Sequence, residues 1–289
     1  MPSIAARTPP DRIGLIAGQG ELVAAAARHL RSQGAAVYAV GFDRTTADTI
    51  SPEVDTYRAL KLGSLNRLID FFHRHQVETV LMIGKIHKVR MFRDLRPDTR
   101  AIKLWARLRD RRDDSILLAL VNELADEGIS VGRIDRYLRH LLAPREKISR
   151  RGPDVREQAD AALGWKIAKG IGRLDLGQTV VVKNRAPVAA EAIEGTDKTI
   201  LRAGELAGKG TVVVKVAKPQ QDYRFDVPVV GLETVKAMVA SGASALAVEA
   251  GRTLFVQREE ALPLIRRHRI AFWGCRSSDF SESPAVPGK

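Results

Sequence analysis

The sequence contains a single cysteine, Cys275, which excludes an intramolecular disulfide and an all-thiolate zinc site. No apolar run approaches the roughly 20 residues that span a bilayer. The first 12 residues lack the hydrophobic stretch of a signal peptide, so we expect a cytoplasmic protein. Phe, Trp and Tyr make up only 5% of the residues, which disfavours a stacking surface for single-stranded nucleic acid.

Acidic residues are also in deficit. The chain has 34 Asp and Glu against 47 Lys and Arg, which gives a formal net charge of +13. Such a surplus indicates a polyanionic partner: nucleic acid, an anionic membrane surface or a phosphorylated ligand. Basic residues concentrate in the segment 90–112, where Ile102, Trp105 and Leu108 are predicted to share a helical face. This pattern predicts an amphipathic helix on a membrane surface, or a solvated helix that packs on its own domain.

The length of 289 residues suits two modest domains. A basic stretch with Gly and Pro near 145–153 predicts the linker between them. We therefore place an N-terminal domain at 12–144, a C-terminal domain at 153–274, and a Ser- and Pro-rich disordered tail at 275–289.

The fold class predicted for both domains is α/β. In the N-terminal domain, short apolar runs alternate with helical segments, which predicts a Rossmann-like parallel sheet. The C-terminal domain has a different pattern, with a hairpin predicted around the turn at Asn184 and Arg185 and another from Ala245 to Val256.

A glycine turn, Gly18-Gln19-Gly20, joins the first predicted strand to a helix. Glycines let a ligand approach the backbone, and the start of a helix favours an anion. Lys85 follows the third apolar run, at the edge where parallel sheets bind ligands, and is a candidate phosphate contact. A purely structural turn and a solvated lysine are the alternatives.

Two loops of the C-terminal half are dense in charge. One loop contains Glu191, Glu194 and Asp197, and the other contains Lys218, Asp222, Arg224 and Asp226. Carboxylates beside cations are what a site for a divalent metal and a phosphate needs. Helix caps and surface ion pairs are the alternative interpretation.

Four motifs occur in order along the chain: GLIAGQGEL at 14–22, GRLDLGQ at 172–178, AAEAIEGTD at 189–197 and VAKPQQDYRFDVP at 216–228. In combination they resemble the LpxI family of UDP-2,3-diacylglucosamine pyrophosphatases. The resemblance runs from about Arg12 to Trp273.

The resemblance implies hydrolysis of UDP-2,3-diacylglucosamine to UMP and 2,3-diacylglucosamine 1-phosphate, a step of lipid A synthesis. It implies Mg²⁺ dependence, attack of water on the phosphorus nearer the sugar, and a lipid nucleotide held between a Rossmann-like domain and a separate C-terminal α/β domain. The basic segment 90–112, together with a substrate that carries two acyl chains, predicts a cytoplasmic enzyme peripherally associated with the anionic inner membrane. A homodimer is allowed, and no nucleic-acid partner is expected.

The resemblance makes Asp226 the key catalytic acid, with Lys218, Arg224 and Asp222 beside it. The expected metal ligands are Asp226, Glu191, Glu194 and Asp197. The expected substrate contacts are Gly18, Gln19, Gly20, Lys85, Gln178, Thr196 and Asp197.

Two other classes of function stay open from the residues alone. A nicotinamide-dependent oxidoreductase would use the glycine turn with Asp43 as the ribose-binding acid, but Val23 replaces the third fingerprint glycine. A basic nucleic-acid-binding protein would explain the charge and would bind with a steep salt dependence.

Overall fold

A computed structural model describes residues 8–84, 96–107 and 113–280, without the side chains of 113 and 114. Its contacts divide the chain into two compact units. The N-terminal unit comprises residues up to 139 together with 223–225, and the C-terminal unit comprises 140–222 and the residues from 226 onward.

The N-terminal unit contains a five-stranded sheet in the order β3-β2-β1-β4-β5. All four neighbouring pairs are parallel, which confirms the predicted Rossmann-like sheet. The strands are β1 (Arg12–Ala17), β2 (Ala36–Gly41), β3 (Thr56–Ala59), β4 (Thr79–Ile83) and β5 (Ser130–Val131). The helices are α1 (Glu21–Ser32), α2 (Arg44–Ile50), α3 (Leu65–Arg74), α4 (Thr99–Arg107), α5 (Asp113–Asp126) and α6 (Ile134–Tyr137).

The sequence folds in this way because its central strands are apolar on both faces. Residues 13–17 of β1 are all buried, as expected when helices cover both sides of a parallel sheet. Helix α3 places Leu68 and Phe72 in the same apolar cluster as Ile16 of β1. The strand order reverses between β1 and β4, and parallel sheets bind ligands beyond the carboxyl ends of the strands at such a point.

The C-terminal unit has a mixed five-stranded sheet in the order β12-β10-β8-β6-β7 and a two-stranded sheet of β9 and β11. Its strands are β6 (Thr179–Lys183), β7 (Ala186–Ala190), β8 (Val212–Lys215), β9 (Val229–Val230), β10 (Ala245–Glu249), β11 (Leu254–Phe255) and β12 (Ala271–Cys275). Its helices are α7 (Val155–Arg173), α8 (Thr196–Ala207), α9 (Leu232–Ser241) and α10 (Arg258–Arg267).

Alternate residues of the larger sheet supply two apolar clusters. Val181 belongs to a cluster with Met238 of α9, whereas Val182 belongs to another with Trp165 of α7. Because successive side chains of a strand point to opposite faces, the two clusters lie on the two sides of the sheet.

One of the two predicted hairpins is confirmed. Strands β6 and β7 pair antiparallel across Asn184 and Arg185, whose φ angles of 52° and 58° suit the turn of a hairpin. The hairpin predicted from Ala245 to Val256 is wrong. Strand β10 pairs in parallel with β8 and β12, and β11 pairs with β9.

The structure also differs from the prediction of a disordered tail that begins at 275. Cys275 ends β12, and a short 3-10 helix follows over Ser277–Phe280. The Phe280 ring packs on Trp165 with the centroids 5.2 Å apart, and Asp279 pairs with Arg145. These contacts order the chain as far as 280; residues 281–289 lie outside the described residues.

Within the described residues, no helix combines the length and the apolar character needed to cross a membrane.

Candidate functional site

The glycine turn lies where the strand order of the N-terminal sheet reverses. The Gly18 N–H donates to the carbonyl oxygen of Ile83 at the end of β4, over 2.8 Å. Gly84 follows with a φ of 96°, and a Cβ there would lie 2.7 Å from the carbonyl carbon of Gly18. Gly20 is the N-cap of α1. The two turns therefore touch through backbone alone, at the edge where a ligand can approach.

An apolar cavity of about 280 Å³ lies beside this turn, within the N-terminal unit. Among the residues that line it are Gly18, Gly84, Leu68, Leu104, Trp105 and Phe225. Among the described lining residues, Ser64 is the one whose side chain carries a hydroxyl. A cavity of this size and composition suits a hydrocarbon chain better than a nucleobase or a sugar, because it offers few polar partners.

Helix α4 forms part of the cavity wall and is the described portion of the predicted basic amphipathic segment. Ala101, Leu104 and Trp105 line the cavity, whereas Ile102 is 55% exposed. Arg100 donates to Glu123 of α5 and to Glu127, which follows the end of α5. The helix therefore packs on its own unit. The predicted placement of Ile102 on the apolar face is wrong.

The remaining parts of this segment, 90–95 and 108–112, lie outside the described residues, and so does Lys85. Gln19 is partly buried beside the glycine turn. Asp43, the acid that an oxidoreductase would use, caps α2 instead: its Oδ1 accepts from the Thr46 N–H over 2.9 Å.

In the C-terminal unit, Lys218 and Asp226 come together as predicted. Lys218 follows β8, at the edge where the parallel strands of this sheet end. Its Nζ lies 3.7 Å from the Asp226 carboxylate and donates to Asp175 over 2.6 Å. The Lys218 side chain is only 17% exposed, so its charge is held in a defined place.

The peptide before Lys218 is fixed by a buried ion pair that the sequence analysis missed. Glu249 accepts from Lys169 over 2.6 Å and from the Ala217 N–H over 2.8 Å. Lys169 donates to the Ala217 carbonyl oxygen over 2.8 Å. Both polar groups of Ala217 are therefore bound by one ion pair, which orients the start of the Lys218 loop.

A second network surrounds the start of α8. Thr196 donates to Glu191 over 2.8 Å and accepts from Lys215 over 2.9 Å. Lys215 is 6% exposed and also donates to the Val229 carbonyl oxygen. Glu191 accepts from the backbone N–H of Gln178 over 3.2 Å. The predicted residues Glu191, Thr196 and Gln178 are thus neighbours.

Glu194 and Asp197 each have side-chain partners within the C-terminal unit, and neither side chain caps α8. Glu194 binds Arg202 over 2.6 Å and Thr199 over 3.2 Å. Hydrogen bonding from its own backbone N–H and then from Arg202 holds the pKa of Glu194 below its usual value. Asp197 accepts from the hydroxyl of Thr234 over 3.1 Å.

Two glutamines at this edge each carry a buried polar atom with no hydrogen-bond partner among the described residues. These atoms are Oε1 of Gln178 and Nε2 of Gln221, an acceptor and a donor. The other amide atom of Gln221, Oε1, accepts from the Lys218 N–H over 2.8 Å. Buried polar groups are normally paired with protein groups or with ordered water, so these two atoms can bind a polar ligand group or a water molecule.

The described residues contain no group of three or more His, Cys, Asp and Glu side chains that could hold a metal ion. The four carboxylates expected from the sequence therefore do not form one cage. A Mg²⁺ ion bound to phosphates needs only one or two protein carboxylates. Asp222 and Asp226 lie in one turn, in which the Asp226 N–H donates to the Asp222 carbonyl oxygen.

The residues between these two acids cluster with the N-terminal unit. The Tyr223 carbonyl oxygen accepts from the Ile134 N–H over 2.8 Å, and the guanidinium of Arg133 lies 5.0 Å from the centre of the Tyr223 ring. Phe225 lines the cavity, and Arg224 is partly buried.

Both units of the chain match domains of one protein family. A model of the LpxI N-terminal domain matches residues 12–141, and a model of the LpxI C-terminal domain matches residues 144–273. A relative from Caulobacter vibrioides, named UDP-2,3-diacylglucosamine pyrophosphatase LpxI, is 30% identical over 264 residues. The alignment covers 87% of this chain and 92% of the relative. The chain therefore belongs to the LpxI family.

Proposed function

We propose that the protein hydrolyses the pyrophosphate of UDP-2,3-diacylglucosamine to UMP and 2,3-diacylglucosamine 1-phosphate. The activity named for the Caulobacter vibrioides relative supports this proposal. The observation that carries it is the Lys218–Asp226 pair, 3.7 Å apart, beside two glutamines with unpartnered buried atoms. A cation, a carboxylate and free amide groups suit a charged, polar substrate.

In the proposed reaction, water attacks the phosphorus nearer the sugar. The bond from that phosphorus to the bridging oxygen breaks, and UMP leaves with the bridging oxygen. Lys218, with Arg224, offsets the negative charge on the phosphoryl oxygens. Asp226 with Asp222 would hold Mg²⁺, which when bound lowers the pKa of a water molecule and screens phosphate charge.

We propose that the apolar cavity of the N-terminal unit receives an acyl chain of the substrate. It lies beside the glycine turn, so apolar and anion-compatible surfaces adjoin within this unit. We further propose that the protein associates peripherally with an anionic membrane. The net charge of +13 supports this, together with a substrate that carries two acyl chains.

The direct test is to incubate the purified protein with UDP-2,3-diacylglucosamine and Mg²⁺, and to identify UMP and 2,3-diacylglucosamine 1-phosphate by mass spectrometry. Asp226→Asn is expected to lower kcat by about 100-fold or more, because one electrostatic group aimed at the reaction has that order of effect. Binding of the lipid nucleotide should persist.

The matched control is Asp70→Asn, an exposed carboxylate on α3. It should retain the kcat of the unaltered protein. Absence of both products with the unaltered protein would refute the proposed activity. Near-normal turnover by Asp226→Asn would remove Asp226 from the centre of the reaction, and an EDTA-insensitive rate would refute the metal requirement.

A further inference from the structure

Asp175 occupies an unusual backbone position beside the Lys218 loop. It lies in the turn that ends α7 and has a φ of 56°, a left-handed conformation that favours Gly or Asn. The turn is closed by hydrogen bonds from the Asp175 N–H to Gly172 and from the Leu176 N–H to Ile171. An aspartate persists in such a conformation when its surroundings hold it there.

The side chain of Asp175 contacts Lys218. The Oδ1 atom of Asp175 lies 2.6 Å from Lys218 Nζ, a short charge-assisted hydrogen bond. The same turn packs on the Lys218 loop: Gln220 donates to the Gly172 carbonyl oxygen over 2.8 Å, and a Cβ on Gly172 would lie 3.4 Å from Lys218 Cα. The turn that contains Asp175 therefore helps to hold the Lys218 loop in place.

Lys218 also lies near the carboxylate on which the proposed reaction depends. The distance from its Nζ to Asp226 is 3.7 Å, longer than the hydrogen bond to Asp175. Of these two carboxylates, Asp175 is the one that binds the ammonium more closely. A full ion pair with Asp226 would neutralise the catalytic carboxylate and turn the ammonium away from a phosphate.

We propose that Asp175 is a positioning residue, which holds the Lys218 ammonium off Asp226 and aims it at the phosphoryl group. This inference rests on the proposed function, because it assigns Lys218 and Asp226 to phosphoryl chemistry. When the charge of Asp175 is removed, Asp226 is still within 4 Å and attracts the ammonium. The substrate then binds while the Lys218 ammonium points to Asp226 and not to the phosphoryl group.

The test compares Asp175→Asn, Lys218→Met and the double variant in steady-state hydrolysis of UDP-2,3-diacylglucosamine. Asp175→Asn keeps the shape of the side chain and suits the left-handed backbone. We expect its kcat to fall about 10-fold while KM changes less than about threefold, since the interaction matters in the transition state. In the Lys218→Met background the same substitution should change kcat by less than about twofold, because its target is gone.

Asp175→Gly distinguishes the proposed loss of kcat from a loss of folding stability. Glycine relieves the backbone strain, so this variant should melt at or above the temperature of the unaltered protein and yet lose kcat as Asp175→Asn does. The matched control is Glu233→Gln, which breaks another 2.7 Å pair with a lysine, on the surface of α9. It should leave kcat and KM unchanged.

A normal kcat in a folded Asp175→Asn or Asp175→Gly variant would overturn the inference. An undiminished effect of Asp175→Asn in the Lys218→Met background would overturn it as well, because the two residues would then act independently. If the unaltered protein produces no UMP, the proposed function fails instead, and this result is distinguishable from the others.

Discussion

At the scale of single residues, the candidate site depends on a few buried charges. The ion pair of Lys169 and Glu249 binds both polar groups of Ala217 and so fixes the peptide that precedes Lys218. The Glu249 side chain is 11% exposed and that of Lys169 is 19% exposed. Breaking such a pair leaves a poorly solvated charge together with an unpaired backbone group.

Glu249→Gln is expected to lower the free energy of unfolding by about 3 kcal/mol, because removing one partner of a buried ion pair strands the other. Urea denaturation followed by circular dichroism measures this change. Glu233→Gln, at an exposed pair, should change the free energy of unfolding by less than about 0.5 kcal/mol. Equal midpoints and slopes for the two variants would show that the pair does not stabilise the fold.

The sequence predicted these residues unevenly. Lys218 and Asp226 were identified because they share one short, densely charged loop, and the structure places them together. Asp175 lies within one of the motifs, but its partner Lys218 is 43 residues away along the chain. Lys169 and Glu249 are 80 residues apart and meet only through the packing of α7 on the sheet. Contacts of that range leave no pattern in a single sequence.

At the scale of elements, helix α4 shows that packing determines which face of a basic helix is buried. The predicted face is right for Trp105 and wrong for Ile102, since Ala101 and Leu104 line the cavity beside Trp105 whereas Ile102 is 55% exposed. The small side chain of Ala101 therefore forms part of the wall of the proposed acyl cavity.

Ala101→Phe is expected to fill part of this cavity and to raise KM for the diacyl substrate about 10-fold, since excluding two methylenes costs about 1.6 kcal/mol. Steady-state kinetics with long-chain and short-chain substrates measures the effect, and the short-chain substrate should be affected less. Ala106→Phe, on an exposed position of the same helix, is the matched control. Equal KM values for the two variants would contradict an acyl site in this cavity.

The elements themselves were predicted best where burial is unambiguous. Continuous apolar runs such as residues 13–17 predicted the parallel sheet, because only a strand covered on both faces has this composition. The same property made the partner of β10 unpredictable: a strand of five buried residues carries no alternation that identifies its neighbour. The segment 245–256 was therefore assigned to a hairpin, whereas its strands belong to different sheets.

At the scale of the whole molecule, the net charge of +13 is the property that any partner meets first. The described part of the basic segment exposes Lys103 and Arg107 on α4, together with the apolar side chain of Ile102. Exposed basic residues near an apolar side chain favour an anionic lipid surface, where each basic residue contributes about 1 kcal/mol.

The protein is expected to float with vesicles that contain phosphatidylglycerol at low salt and to be released at high salt, because salt screens the attraction. The double variant Lys103→Glu/Arg107→Glu should bind these vesicles more weakly. Lys209→Glu/Arg267→Glu changes the net charge equally on exposed positions of the C-terminal unit. Equal loss in both double variants would indicate general charge rather than this helix, and equal flotation with neutral vesicles would refute the electrostatic docking.

The contacts of Phe280 show that the packed C-terminal unit extends beyond the matched domain. The LpxI domain match stops at residue 273, whereas Trp165 of α7 packs against an aromatic ring seven positions later. Arg145 likewise pairs with Asp279. The C-terminal unit as it packs is therefore longer than the matched domain, because it includes the segment 277–280.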